Sequence, residues 1–213
     1  MTALVRTALR VPDLDVPWRQ VDYCVVDVET TGLDLRHDTL VSFGSVLVRS
    51  GRIVLRSRVD IDIRPDRRIG VSAMTVHGLR HEDLETAPPL ADVAGRIVSE
   101  LDGRVLVAHA AWIERAILRE PVRLAGRRWR PAVVDTAALL RATGVAPSGT
   151  GHEPDLEWSA ETLGLSPHST HHALGDALTT AEVLLVLAAR LERDQPGLTA
   201  RSLVKISRAH TLT

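Results

Sequence analysis

The amino-acid sequence predicts an α/β fold: a mixed five-stranded sheet flanked by helices. Two observations predict it. Three strand-like segments come first and alternating strands and helices follow, the order that yields a sheet covered on its faces. The second and third segments are joined by Ser50-Gly51-Arg52, a short turn of the kind that closes an antiparallel hairpin. With 213 residues, 45% hydrophobic and 25% charged, the chain suffices for one domain with a full core and is short for two.

Residues 1–20 carry Pro12, Pro17 and scattered charges, and read as an extended N-terminal lead-in. Tyr23 to Glu29 is β-branched and apolar, hence a buried strand; it stops at Thr30-Thr31-Gly32. Leu40–Val48 and Ile53–Ile61 form the hairpin. Leu90–Leu101 places apolar residues at 90, 93, 94, 97, 98 and 101, the spacing of one helix face. Arg104–Ala108 reads as a strand, Ala111–Arg119 as a helix, Ala132–Val134 as a short strand and Thr136–Arg141 as a helix. Residues 144–154, rich in Gly, Pro and Ser, read as a loop. Leu156–Leu163 is a helix closed by Gly164, and His171–Leu191 is the longest helix. The core is expected over 21–193, with 194–213 a tail of mixed charge.

Composition excludes some functions. A net charge of −1 rules out a polycation held to nucleic acid by bulk attraction. Arginine nevertheless supplies every basic residue except Lys205, and its planar fork suits phosphate, although a genome rich in G and C yields the same bias. Ala181–Ala189, the longest apolar stretch, contains Glu182 and is too short to span a bilayer. The N-terminus shows no secretory pattern, and the single Cys24 cannot form an internal disulfide. A cytoplasmic location and no membrane association are expected.

The chemistry lies in the acids. Asp27 and Glu29 are two apart on a strand, so both side chains point to one face. Burying two carboxylates side by side costs the solvation of each and adds their repulsion; a divalent cation would relieve both. Taken alone, the pair also reads as strand-end acids facing solvent.

The pair stands in Asp27-Val28-Glu29-Thr30-Thr31-Gly32. This resembles the first motif, Asp-x-Glu-Thr-Thr-Gly, of the DEDD-type 3′→5′ exonucleases that carry a catalytic histidine, the group of polymerase proofreading subunits, RNase T and their relatives. His171-His172-Ala173-Leu174-Gly175-Asp176-Ala177 matches the family's His-x-Ala-x-x-Asp-Ala. His171, five before Asp176, has the family spacing; His172 reads as a solvated helix residue. Between them, Ala108-His109-Ala110-Ala111-Trp112-Ile113-Glu114 resembles the second motif, with Ala110 where the family has Asn, Ile113 where it has Phe, and Glu114 where it has the catalytic Asp. Ser72 to Leu79, containing His77, is similar to a Val-His-Gly-Ile segment beside the substrate groove; capping or packing is the plainer role for His77. Val134-Asp135-Thr136 resembles the family's Val-Asp-Thr, where Asp135 would cap a helix and brace the site.

The resemblance covers about residues 21–190 and implies an RNase H-like fold. It also implies two magnesium or manganese ions held by Asp27, Glu29, Glu114 and Asp176, with Asp27 bridging, and His171 as the general base. The backbone N–H groups of Thr30, Thr31 and Leu33 would hold a 3′ terminus, with Leu33 wedged against the last bases and Gly32 in the same substrate-binding turn. His77, His109 and Trp112 would line the substrate path, Trp112 either stacking a base or walling the groove. The implied substrate is the 3′ end of single-stranded DNA or RNA, and a polymerase or repair partner would dock outside the core. Two further readings stand: a non-catalytic nucleic-acid or protein-binding module descended from such an enzyme, if Glu114 fails to reach the metal, and a metal-dependent hydrolase of another phosphoester or an unrelated α/β domain.

Overall fold

The computed structural model describes residues 6–148 and 152–211. In chain order its elements are β1 (Thr7–Ala8), β2 (Tyr23–Thr30), β3 (Leu40–Arg49), β4 (Arg52–Asp62), α1 (Val71–His77), α2 (Leu90–Leu101), β5 (Val105–Ala108), α3 (Trp112–Ile117), α4 (Arg119–Leu124), β6 (Arg127–Arg128), β7 (Val133–Asp135), α5 (Thr136–Ala142), α6 (Leu156–Thr162), α7 (Ala173–Asp194) and α8 (Ala200–His210). The main sheet runs β4-β3-β2-β5-β7. β2, β3 and β4 pair antiparallel, and β5 and β7 continue from β2 in parallel. This is the five-stranded mixed sheet expected from the sequence, built by a hairpin followed by right-sized crossovers.

Alternation along β2 divides the core. Tyr23 and Val25 pack in one cluster with Val107, Leu139, Leu184 and Leu203. Cys24, Val26 and Val28 face the other, with Phe43, Ile97, Leu101 and Leu118. Each large aliphatic side chain so buried contributes about 1.5–3 kcal/mol. Asp27 and Glu29 follow Val25 in the alternation and leave the sheet on the side of α7, which packs across β2 and β3.

The flanking segments join this core. Trp18 is fully buried in the first cluster, its carbonyl accepting the Tyr23 hydroxyl at 2.9 Å. β1 pairs in parallel with β6. Residues 194–213, read as a tail, contain α8, which buries Leu203 and Val204 against α5 and β7. The helix expected over 111–119 ends at Ile117, and α4 starts afresh at Arg119. Pro121 explains the break, since it has no N–H to donate to the Ile117 carbonyl. Residues 149–151 of the expected 144–154 loop lie outside the described residues.

Candidate active site

β2 sets the first two acids. Asp27 pairs with Gly44 of β3, and a register shift falls between Glu29 and Thr30, a bulge that re-aims side chains at the strand's end. Gly44 is essential to what sits above it: a Cβ there would lie 2.1 Å from the Ala173 carbonyl carbon. Gly175 is equally tight, 2.1 Å from the Ser169 carbonyl oxygen. Gly44 therefore lets the first turn of α7 settle onto the sheet, Gly175 lets the segment at Ser169 pack against that turn, and the turn carries Asp176. Carboxylate oxygens of Asp27, Glu29 and Asp176 come within 4.8 Å of one another.

The fourth acid arrives from α3. β5 ends at Ala108, and the chain turns through Ala110, whose φ of 55° is left-handed. Asp135 holds this turn. Its carboxylate accepts the N–H groups of Ala110 (3.1 Å) and Ala111 (3.2 Å) and also caps α5 through Ala137 N–H at 2.9 Å. The double duty expected of Asp135 is thus met in its backbone contacts. Glu114, in the first turn of α3, is only 3% exposed, and its Oε2 has no hydrogen-bond partner. Its carboxylate stands outside the three-acid group yet close enough to raise the pKa of Asp27.

Electrostatics show how costly the arrangement is. Burial, then repulsion from Glu114, Glu29 and Asp176, holds Asp27 well above the carboxylate range. Burial lifts Glu29 to about 7, with Asp176 adding to it. Burial lifts Glu114 to about 8, with Asp135 and Glu29 adding repulsion. Asp176 rises to about 6 through burial, against an opposing hydrogen bond from His171. No arginine or lysine among the described residues pairs with any of the four. An all-oxygen cluster of repelling acids, with one buried oxygen left unpaired, fits a hard divalent cation.

The remaining predicted residues fall into place unequally. His171 precedes α7 in a left-handed conformation (φ 57°) and gives its backbone N–H to Asp176 Oδ2 at 3.0 Å. Its exposed ring puts Nε2 3.7 Å from Glu157 Oε1. His172 turns instead toward Asp60, at 3.7 Å. Leu33 is 74% exposed beside Gly32, where a Cβ would strike the Asp38 carboxylate. Thr31 is buried, and its N–H is given to the Thr39 carbonyl at 2.9 Å. That N–H is therefore already used within the turn. The Thr30 hydroxyl closes the turn on the Gly32 carbonyl.

His77 has both ring nitrogens engaged: Nδ1 accepts Leu79 N–H at 3.1 Å, and Nε2 lies 3.2 Å from the Thr30 carbonyl. Burial lowers its pKa, so the neutral ring braces the end of β2. His109 also has both ring nitrogens engaged: Nδ1 lies 2.9 Å from Thr136 Oγ1 and Nε2 2.6 Å from the Pro154 carbonyl, which ties β5 to the loop before α6. Trp112 is 44% exposed. Sequence reasoning missed Gly44 and Glu157. Gly44 sits mid-strand, where glycine often marks a close approach, and this was the available signal. Glu157 lies fourteen residues before His171 on another helix, with no local cue.

Residues 24–184 match the RNase T-type family described as exonuclease. The chain belongs to this exonuclease family. A DNA polymerase III subunit epsilon-like protein of Rhodobacter capsulatus is 33% identical over 190 residues, covering 89% of this chain and 26% of that protein. The DNA polymerase III subunit epsilon of Treponema pallidum is 28% identical, covering 79% of this chain and 77% of its own. Among solved structures, exonuclease X in complex with 5′ overhanging duplex DNA superposes with a TM-score of 0.65 at 25% identity, covering 87% of this chain and 99% of that one. The chain spans only about a quarter of the Rhodobacter relative and 13% of the polymerase III PolC-type protein of Thermotoga petrophila. No helix among the described residues is long and apolar enough to cross a membrane.

Proposed function

We propose that this exonuclease-family chain removes nucleotides one at a time from the 3′ end of single-stranded nucleic acid, releasing nucleoside monophosphates. The observation that carries this reading is the convergence of Asp27, Glu29 and Asp176, with the unpaired Glu114 oxygen buried beside them. Held by these four side chains, two divalent cations, magnesium or manganese, would lower the pKa of an attacking water and stabilise the leaving 3′ oxygen.

The chain's own groups do the rest. The His171 imidazole takes the proton of the attacking water, the usual task of a histidine acting as general base. Glu157, 3.7 Å from Nε2, stabilises the imidazolium. The N–H groups of Gly32 and Leu33 hold the terminal sugar, and exposed Leu33 meets the last base. A binding module with no catalysis would gain nothing from four mutually repelling acids, one buried and three half-buried, whose repulsion works against folding, which favours an active site.

The relatives named as polymerase III subunits favour a polymerase or repair partner, and the buried free thiol of Cys24 is consistent with the cytoplasm. The test uses 5′-labelled single-stranded DNA and RNA with magnesium, manganese or EDTA. A metal-dependent ladder shortening from the 3′ end is expected. Fragments cut internally, or none from either strand with either metal, would overturn the proposal.

A further inference from the structure

The outer face of α3 borders a cleft of about 580 Å³ that no part of the proposed reaction uses. Trp112, Arg115 and Arg119 line one wall, Trp129 and Arg130 the approach to β7, and Arg208 of α8 closes it. All four arginines are exposed, as is Trp112. Among the described residues none of the four guanidiniums has a carboxylate partner. The nearest acids are otherwise engaged: both Asp135 oxygens accept backbone N–H groups, and Glu120 pairs with Arg123. On a chain of net charge −1, this concentrates uncompensated positive charge beside two indole rings in one recess.

The cleft is tied to the reacting end. Trp112 and Glu114 are two residues apart on α3, so they project from opposite sides of that helix, about 10 Å across. Guanidinium forks match phosphate oxygens, and indole faces stack on bases of any sequence. We infer that this cleft grips the substrate strand a few nucleotides upstream of its 3′ end, its arginines on successive phosphates and Trp112 and Trp129 against bases. Resting on the exonuclease reading, the inference explains how a weakly charged protein holds a polyanion: affinity is local.

The experiment measures binding of 5′-fluorescein oligothymidylates, three and fifteen nucleotides long, by anisotropy in EDTA, so that hydrolysis plays no part. Arg115→Ala/Arg208→Ala is compared with wild type, and circular dichroism confirms that both are folded. The double variant is expected to bind the longer strand about tenfold more weakly and to lose about 1.4 from the slope of log affinity against log salt, with affinity for the trimer unchanged. Equal affinity of variant and wild type for the longer strand would overturn the inference, as would wild-type binding of a polyglutamate peptide in preference to the oligonucleotide. If wild type binds the longer strand through these arginines but hydrolyses neither oligomer with magnesium, the cleft stands and the catalytic reading falls.

Discussion

Gly44 of β3 lies so close to α7 that a Cβ on it would sit 2.1 Å from the Ala173 carbonyl carbon. This contact sets the height of Asp176 over Asp27, because Gly44 pairs with Asp27 and Ala173 starts the turn that carries Asp176. Gly44→Ala must push α7 off the sheet. It is expected to destabilise the protein by about 1–3 kcal/mol in urea unfolding and to depress metal-dependent hydrolysis well below the fraction still folded. A variant with wild-type stability and rate would contradict the placement.

The acid cluster makes stability depend on pH. Asp27, Glu29, Glu114 and Asp176 all have folded pKa values raised above their unfolded ones. The folded chain thus holds more protons than the unfolded chain from the ordinary carboxylate range up to about pH 8, and the cluster's contribution falls as pH rises through that window. His77 and His109, with lowered pKa values, act the opposite way at low pH. Comparing wild type with Glu114→Gln isolates the acids. In EDTA the glutamine variant is expected to gain in melting temperature over wild type as pH goes from about 5 to about 8, and magnesium should stabilise wild type more at the higher pH, because cations need ionised ligands. A difference that stays constant with pH would count against a coupled cluster.

Asp135 accepts three backbone N–H groups, and one change would orphan them all. Asp135→Ala is expected to cost about 3 kcal/mol and to loosen the turn that delivers Glu114. The same turn carries a strained alanine: Ala110, at φ 55°, occupies a conformation that costs a residue with a Cβ about 1 kcal/mol. Ala110→Gly should therefore raise stability slightly or leave it unchanged, whereas most changes here lower it. Urea midpoints of the two variants check both, and a clear loss in Ala110→Gly would refute the strain.

His171 and Glu157 divide one role. His171→Ala is expected to lower kcat by about 10²–10⁴ while sparing magnesium affinity, since its side chain belongs to no ligand group. Glu157→Gln should lower kcat less, because its carboxylate, 3.7 Å from the His171 ring, steadies the imidazolium that forms in the reaction. His172→Ala, whose ring turns toward Asp60, should stay within a few-fold of wild type. Equal losses in the two histidine variants would show that the wrong ring has been assigned.

Much of the fold was legible because periodicity carried it. The α2 helix begins and ends at Leu90 and Leu101 as its apolar spacing predicts, and the hairpin falls where Ser50-Gly51-Arg52 places it. The C-terminal helix escaped because only Leu203 and Val204 are large apolar residues buried by it. Its start was nonetheless written in the sequence, since Thr199 caps the helix through Ser202 N–H at 3.1 Å. Trp18 escaped for another reason: a lone tryptophan among charges and prolines reveals its burial only when the sheet it covers is known.

In the site, the Asp27–Glu29 pair follows from a period of two, and Asp176 and His171 from their motif. What the motif could not convey is through-space. His109 keeps its family position, yet both ring nitrogens are spent on Thr136 and Pro154, partners 27 and 45 residues away. Glu157 reaches His171 from a different helix. Such contacts depend on how helices cross, which local spacing does not encode.

The central claim is that Glu114 serves as the fourth working carboxylate, despite its extra methylene. The most direct test compares single-turnover hydrolysis of 5′-labelled single-stranded DNA by wild type and Glu114→Gln in magnesium. Glutamine keeps the shape and removes the charge, so the variant should fold at least as stably while its rate falls by about 10² or more. A folded Glu114→Gln protein that shortens the strand at the wild-type rate would contradict the account.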